Sequence, residues 1–223
     1  KIAAGGGDHV ILGDNGKAIY VAGGLASVRS GWDQYDGADE IDAGNGSSVV
    51  FGGGAGDNIK IGTGSSVVFG DSGYAEFQGT LPTLAYSIDT DKGGADTIET
   101  GDGDQIVVGG AFGDTITTGG GSDIVFGDNA RLEFAIKVVN NVNVADLQRG
   151  LTIDPLLGGA DTIRAGGAND IVIGGTGGDT IYGGAGNDRL FGDHAMFSLD
   201  NAESQRVISV YVGAGDGGGN DTI

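Results

Sequence analysis

The sequence predicts an all-β solenoid, and three observations support this fold class. Glycine accounts for 49 of the 223 residues, and it supplies the positive φ angles that tight turns require. Short apolar triplets recur between the glycine-rich stretches, which is typical of short strands. A nine-residue pattern, Gly-Gly-x-Gly-x-Asp-x-apolar-x, also repeats along the chain, most clearly at residues 174–182 and 183–191. One such unit cannot bury a core alone, so neighbouring units must stack on each other.

The composition excludes several other classes of protein. Collagen is excluded because glycine does not fall at every third residue and only two prolines are present. Disorder is disfavoured because 39% of the residues are hydrophobic and follow a regular pattern, despite a net charge of −20. That charge argues against nucleic acid as a partner. The chain has no cysteine for disulfide bonds and no apolar run long enough for membrane insertion.

Aspartate defines the register of the repeat. When the aspartate of each nonapeptide is numbered position six, this position recurs every nine residues in three series, and a final Asp221 follows. The series are Asp39, Ser48, Asp57 and Ser66; Asp96, Gln105, Asp114 and Asp123; and Asp161, Asp170, Asp179 and Asp188. The nine-residue spacing favours Gln105 over the neighbouring Asp104. Counting back from Gly13 places His9, rather than Asp8, in the same position.

A Gly-Asp pair ends each series and begins a longer insert. The pairs start at Gly13, Gly70, Gly127 and Gly192, and the inserts span approximately residues 15–37, 72–94, 129–159 and 194–219. Most inserts contain two runs of alternating apolar residues, so each insert is interpreted as a β-hairpin. The chain starts inside one repeat and stops inside another. Residues 1–223 are therefore interpreted as one continuous repeat array and as an excerpt of a longer chain.

The nonapeptide resembles the RTX calcium-binding repeat of secreted bacterial proteins. The resemblance implies a parallel β-roll with two nonapeptides per coil, so that successive turns alternate between two edges. If every insert leaves from edge A, that edge carries Asp39, Asp57, Asp96, Asp114, Asp161, Asp179 and Asp221, and edge B carries His9, Ser48, Ser66, Gln105, Asp123, Asp170 and Asp188. The resemblance also implies that position-six carboxylates and backbone carbonyls bind Ca²⁺ between stacked turns. The implied ligands are Asp39, Asp57, Asp96, Asp114, Asp123, Asp161, Asp170, Asp179, Asp188 and Asp221.

The first half of edge B departs from the repeat pattern. Serine and glutamine offer only neutral oxygens, and histidine is a poor ligand for a hard cation. On edge B, calcium is therefore expected only near Asp123, Asp170 and Asp188, and serine hydroxyls are expected to bond to backbone groups in the first half. The aspartates of the Gly-Asp pairs leave two alternatives open. Each could reach an edge A ion or cap the base of its insert; these residues are Asp14, Asp71, Asp128 and Asp193.

The two faces of the predicted roll differ in polarity. Position eight points into the roll, and its two neighbours point outward. After edge A turns the outward residues are mostly polar, whereas after edge B turns they are almost all apolar, as in Val49 and Phe51. So large an apolar stripe must be covered. The favoured hypothesis is that the inserts fold back over it as a roof. The alternative is that the stripe contacts copies of the same chain or neighbouring repeats, giving a filament.

Taken together, the features of the sequence predict a structural role rather than catalysis. No catalytic or nucleotide-binding motif is present, so the chain is not expected to be an enzyme. The resemblance implies type I secretion and folding outside the cell when calcium binds. The predicted function is a calcium-binding segment of a large secreted or cell-surface bacterial protein, either an adhesin stalk or an extracellular filament. The alternative is the secretion and folding module of an exported protease or lipase.

Overall fold

The computed structural model describes residues 1–31, 36–199 and 219–223, together with the backbone of residues 206–209. Every regular element in these residues is a β-strand. No helix long and apolar enough to cross a membrane occurs in the described part of the chain.

Two parallel seven-stranded sheets form the roll. The outer sheet follows the edge A turns and comprises β1 (Ile2–Ala3), β5 (Glu40–Asp42), β7 (Asn58–Ile61), β11 (Thr97–Thr100), β13 (Thr115–Thr117), β17 (Thr162–Arg164) and β19 (Thr180–Tyr182). The covered sheet follows the edge B turns and comprises β2 (Val10–Leu12), β6 (Val49–Gly53), β8 (Val67–Asp71), β12 (Ile106–Gly110), β14 (Ile124–Asp128), β18 (Ile171–Ile173) and β20 (Arg189–Phe191). Equivalent repeat positions pair with each other, as Ile41 does with Ile59. The predicted β-roll is therefore confirmed.

Position-eight side chains fill the space between the two sheets, as predicted. The outer sheet contributes isoleucines and the covered sheet valines, each no more than 1% exposed: Ile41, Ile59, Ile98, Ile116, Ile163 and Ile181, and Val50, Val68, Val107, Val125 and Val172. Ile223, which also occupies position eight, is 67% exposed. The register did not single out Ile61, which joins the same core.

The inserts form hairpins, as predicted, and the hairpins join into a third, antiparallel sheet, the roof. Its strands are β3 (Gly16–Val21), β4 (Gly24–Ser30), β9 (Gly73–Gln78), β10 (Leu81–Ser87), β15 (Ala130–Val139), β16 (Val142–Thr152), β21 (Ala195–Ser198) and β22 (Arg206–Ser209). The second strand of each hairpin pairs with the first strand of the next, as Val28 does with Ala75. Because of this pairing, the separate inserts form one continuous layer.

The roof buries the apolar stripe of the covered sheet. Phe51, Phe69 and Phe126 are at most 1% exposed and pack in one cluster with roof residues that include Leu132 and Phe197. The Phe126 and Phe197 rings lie 5.9 Å apart. The stripe is therefore covered within one chain, and the alternative in which it contacts another copy of the chain is wrong.

Removing one of these rings should destabilise the calcium-loaded protein strongly. We expect Phe126→Ala to lower the free energy of unfolding by about 3–5 kcal/mol, because it leaves a cavity between roof and roll. The matched control is Val139→Ala at a hairpin tip, where the side chain is 42% exposed. Urea unfolding in calcium measures both variants, and similar losses in the two would contradict the buried role of Phe126.

Candidate metal sites along the two edges

Edge A carries a ladder of position-six aspartates. Each backbone N–H at this position donates to Oδ1 of the position-six aspartate on the next coil. The donor–acceptor pairs are Asp39–Asp57 (2.7 Å), Asp57–Asp96 (2.6 Å), Asp96–Asp114 (2.8 Å), Asp114–Asp161 (2.7 Å), Asp161–Asp179 (2.8 Å) and Asp179–Asp221 (2.9 Å). The ladder places all seven predicted residues of this edge in one row and holds one oxygen of each acceptor carboxylate.

The second oxygen of these carboxylates has no hydrogen-bond partner. Oδ2 is buried and unpaired in Asp57, Asp96, Asp114, Asp161 and Asp179. Burying an ionised carboxylate in this way is costly unless a cation or a hydrogen-bond donor compensates the charge. The described residues supply no such group at these atoms.

A glycine leaves room beside each of these oxygens. A Cβ added to Gly70 would lie 2.1 Å from Oδ2 of Asp96 and 2.4 Å from the carbonyl oxygen of Gly109. The equivalent Cβ on Gly109 would lie 2.3 Å from Oδ2 of Asp114 and 2.1 Å from the carbonyl oxygen of Gly127. Carboxylate and carbonyl oxygens therefore face the same small space in successive coils. Oxygen-only donor sets of this kind suit Ca²⁺, so the residues present fit the ion.

Such a site must rely on backbone carbonyls. Among the described residues, no group of three or more histidine, aspartate or glutamate side chains converges on one point. Each coil instead offers one position-six carboxylate and several glycine carbonyls. The ligands must therefore come from neighbouring coils, and binding an ion joins those coils.

Burial raises the pKa of the edge A aspartates. It raises the pKa of Asp57 to about 7 and, together with the charge of Asp57, that of Asp96 to about 8. Burial and the charge of Asp128 raise the pKa of Asp161 to about 9, and burial with the charge of Asp161 raises that of Asp114 well above its usual value. These groups favour a bound proton when no cation compensates their charge.

The second half of edge B continues the carboxylate ladder. The N–H of Gln105 donates to Oδ1 of Asp123 (2.8 Å), that of Asp123 to Asp170 (2.7 Å), and that of Asp170 to Asp188 (3.0 Å). Oδ2 of Asp123 and of Asp170 is buried without a partner. These residues fit calcium for the same reason as those of edge A.

The first half of edge B carries a neutral ladder, defined here as His9, Ser48, Ser66 and Gln105. The N–H of His9 donates to Oγ of Ser48 (3.2 Å), that of Ser48 to Oγ of Ser66 (3.0 Å), and that of Ser66 to Oε1 of Gln105 (3.0 Å). Ser66 Oγ donates to the carbonyl of Gly46 at 3.3 Å, and the Gln105 amide donates to that of Gly64. Hydroxyl and amide donors thus bond to backbone carbonyls here, and no position-six carboxylate is present.

Introducing a carboxylate into the neutral ladder should create a calcium site. We expect Gln105→Asp to bind one additional ion, because Asp123 and the Gly64 carbonyl would then face a second carboxylate. Isothermal titration calorimetry of the variant and the parent measures the difference in stoichiometry. Asp104→Asn, an exposed neighbour, is the control; an unchanged number of ions in Gln105→Asp would contradict the interpretation.

The Gly-Asp aspartates tie the insert bases to the roll. Asp71 accepts hydrogen bonds from the N–H of Gly94 (3.1 Å), at the end of its insert, and from that of Ala111 (2.5 Å), on a following turn. Asp14 accepts from Gly37 (3.2 Å) and Gly54 (2.7 Å), and Asp128 from Gly159 (3.0 Å) and Thr176. This favours capping over metal binding for these three residues. The insert that follows Asp193 lies partly outside the described residues.

Comparison with known families gives one match. The model of the RTX calcium-binding nonapeptide repeat matches in four copies, over residues 91–115, 99–130 and 165–193. The matched segments include Asp96, Asp114 and Asp179 of edge A and Asp123, Asp170 and Asp188 of edge B, whereas Asp39, Asp57, Asp161 and Asp221 and three residues of the neutral ladder, His9, Ser48 and Ser66, lie outside them. No match was found among curated proteins or among solved structures.

Proposed function

We propose that this chain, two stretches of which match the RTX calcium-binding nonapeptide repeat, is a calcium-rigidified structural segment of a large secreted or cell-surface protein. The proposed role is that of an adhesin stalk or extracellular filament exported by type I secretion. The observation that carries the proposal is the uninterrupted aspartate ladder of edge A, which runs from Asp39 to Asp221.

The three sheets support a load-bearing role. The seven coils of the roll stack along one axis, with a rise of about 4.8 Å per coil. The roof strands of successive inserts also pair along this axis, at Val28 with Ala75, Ala85 with Leu132 and Gly150 with Phe197. Bending the roll would break both sets of pairings. A further coil would extend the outer and covered sheets by the same parallel pairing.

Calcium should control folding of the segment. The net charge of −20 opposes compaction, and without a cation each buried Oδ2 of edge A must either carry an uncompensated charge or take up a proton. An ion that binds only the folded chain contributes its binding free energy to folding. The segment can therefore remain unfolded during export at low calcium and fold outside the cell.

Chelation should unfold the protein. We expect the β-sheet signal in circular dichroism to disappear in excess chelator and to return with millimolar calcium. Magnesium should restore it poorly, because that ion is smaller and gives up its water reluctantly. An unchanged spectrum in excess chelator would refute calcium-dependent folding.

The remainder of the gene distinguishes the stalk from the alternative module of an exported enzyme. Many further blocks of the same kind would support the stalk. An adjacent protease or lipase domain would support the enzyme module instead. Small-angle scattering of a tandem of such segments in calcium then tests rigidity. A stalk should scatter as a stiff rod.

A further inference from the structure

A groove of about 560 Å³ runs along the first half of edge B, beneath the far ends of the roof hairpins. One wall is the row of residues that precede position six on five successive coils, the position-five row: Asp8, Ser47, Ser65, Asp104 and Ser122. The floor includes Val67 and Ile106 of the covered sheet, and the opposite wall includes Pro82 and Phe134 of the roof. Thr80 and Asp146 of the roof also line it, so the groove combines a polar wall with an apolar floor and a mixed wall.

Backbone hydrogen bonds hold the position-five row in place. The N–H of Ser47 donates to Oδ1 of Asp8 (2.8 Å), that of Ser65 to Oγ of Ser47 (3.3 Å), and that of Ser122 to Oδ1 of Asp104 (2.8 Å). The side chains themselves are exposed. Hydroxyl and carboxylate groups consequently recur along the groove once per coil, about 4.8 Å apart.

The groove coincides with the neutral ladder. Ser48, Ser66 and Gln105 lie directly behind the position-five row and also line the groove. The carboxylate ladder resumes at Asp123, which is not among the lining residues. The departure from the aspartate pattern thus occurs where the groove opens, and it leaves this wall without position-six carboxylates.

The chemistry of the walls selects the class of ligand. No lysine or arginine lines the groove, and the net charge of −20 disfavours an anionic ligand. An extended peptide would need unpaired backbone groups for strand addition. Those of the adjacent coils are paired, since the N–H of Val49 bonds to His9 O, that of Val67 to Ser48 O and that of Ile106 to Ser66 O.

We propose that this groove binds a neutral oligosaccharide. The sugar hydroxyls bond to Ser65, Asp104 and Ser122, which together offer donors and acceptors. The apolar faces of the rings pack on Ile106 and Pro82. Sites for small ligands usually combine an apolar surface with a few fixed polar groups, as here. The inference adds a binding activity to the structural role and does not depend on it.

The test uses the full chain in calcium with defined soluble probes. Binding of cellotetraose, maltotetraose and chitotetraose is measured by saturation-transfer difference NMR and calorimetry, with oligogalacturonate and tetralysine as charged comparisons. Ser65→Trp should abolish binding by filling the groove. Ser65→Ala with Ser122→Ala should weaken it about tenfold, because the hydrogen bonds of two hydroxyls are lost. Neither hydroxyl serves the coil-to-coil bonds described above.

Thr115→Trp, on the exposed face of the outer sheet, is the matched control and should bind as the parent does. Circular dichroism in calcium checks that each variant folds. Saturable binding of a neutral probe that Ser65→Trp removes and Thr115→Trp retains supports the proposal. It is overturned if no neutral probe binds, if Ser65→Trp leaves binding intact, or if tetralysine alone binds.

Discussion

Asp114→Asn is expected to lower stability in calcium and to raise it without calcium. Asparagine keeps an acceptor for the N–H of Asp96, which bonds to Oδ1 of Asp114 at 2.8 Å. It removes the charge whose second oxygen is buried without a partner. In calcium the loss of a ligand should lower the free energy of unfolding by about 3–5 kcal/mol, as when a buried charge pair is broken. Without calcium, removing the uncompensated charge should stabilise the roll by about 1–3 kcal/mol.

Urea unfolding measures both effects, with sulfate added to the calcium-free samples because it strengthens apolar burial and keeps the roll folded. Glu99→Gln is the matched control, because Glu99 lies on the exposed face of the outer sheet and should change little in either condition. Asp114→Ala, which also removes the ladder acceptor, should destabilise the protein in calcium at least as strongly as asparagine. If Asp114→Asn changed the free energy of unfolding in the same direction with and without calcium, this carboxylate would not be a calcium ligand.

Lowering the pH is expected to stabilise the folded, calcium-free chain, because protons then neutralise the buried aspartates in place of calcium. In the folded chain the pKa is raised to about 7 for Asp57, about 8 for Asp96 and about 9 for Asp161, whereas an unfolded aspartate titrates near about 3.9. The folded state therefore binds more protons, and its stability falls as pH rises through the folded pKa values. Calcium-free protein should gain β-structure as the pH is lowered from about 9 towards 5, the reverse of ordinary acid denaturation.

Circular dichroism across this pH range, on protein dialysed free of calcium, measures the effect. Sodium chloride at pH 9, with no sulfate present, distinguishes buried charge from surface repulsion, because it screens the surface charges far more than the buried ones. Sodium chloride alone should therefore restore little structure. Loss of the remaining β-structure on acidification would contradict the pKa shifts.

The sequence predicted those features that follow from the nine-residue period. Ile41 and Val50 lie inside the roll, and Asp39 and Ser48 on opposite edges, because the register of one coil determines that of the next. The pairing of Val28 with Ala75 was not predictable from this period, since it joins two inserts with no common register. The role of Asp71 stayed open for the same reason. Its partners, Gly94 and Ala111, lie 23 and 40 residues later, and only the folded chain brings them together.

The neutral ladder makes the two ends of the solenoid differ in how much calcium they need to fold. Each coil contacts only its neighbours, so folding can start in one coil and spread to the next. In the first four coils, edge B is closed by Ser48, Ser66 and Gln105 without any metal, whereas from Asp123 onwards both edges present carboxylates. Fewer ions are therefore needed per coil at the N-terminal end. As calcium rises, ordered structure should appear there first and advance towards the C-terminus, with the roof hairpins closing in the same order.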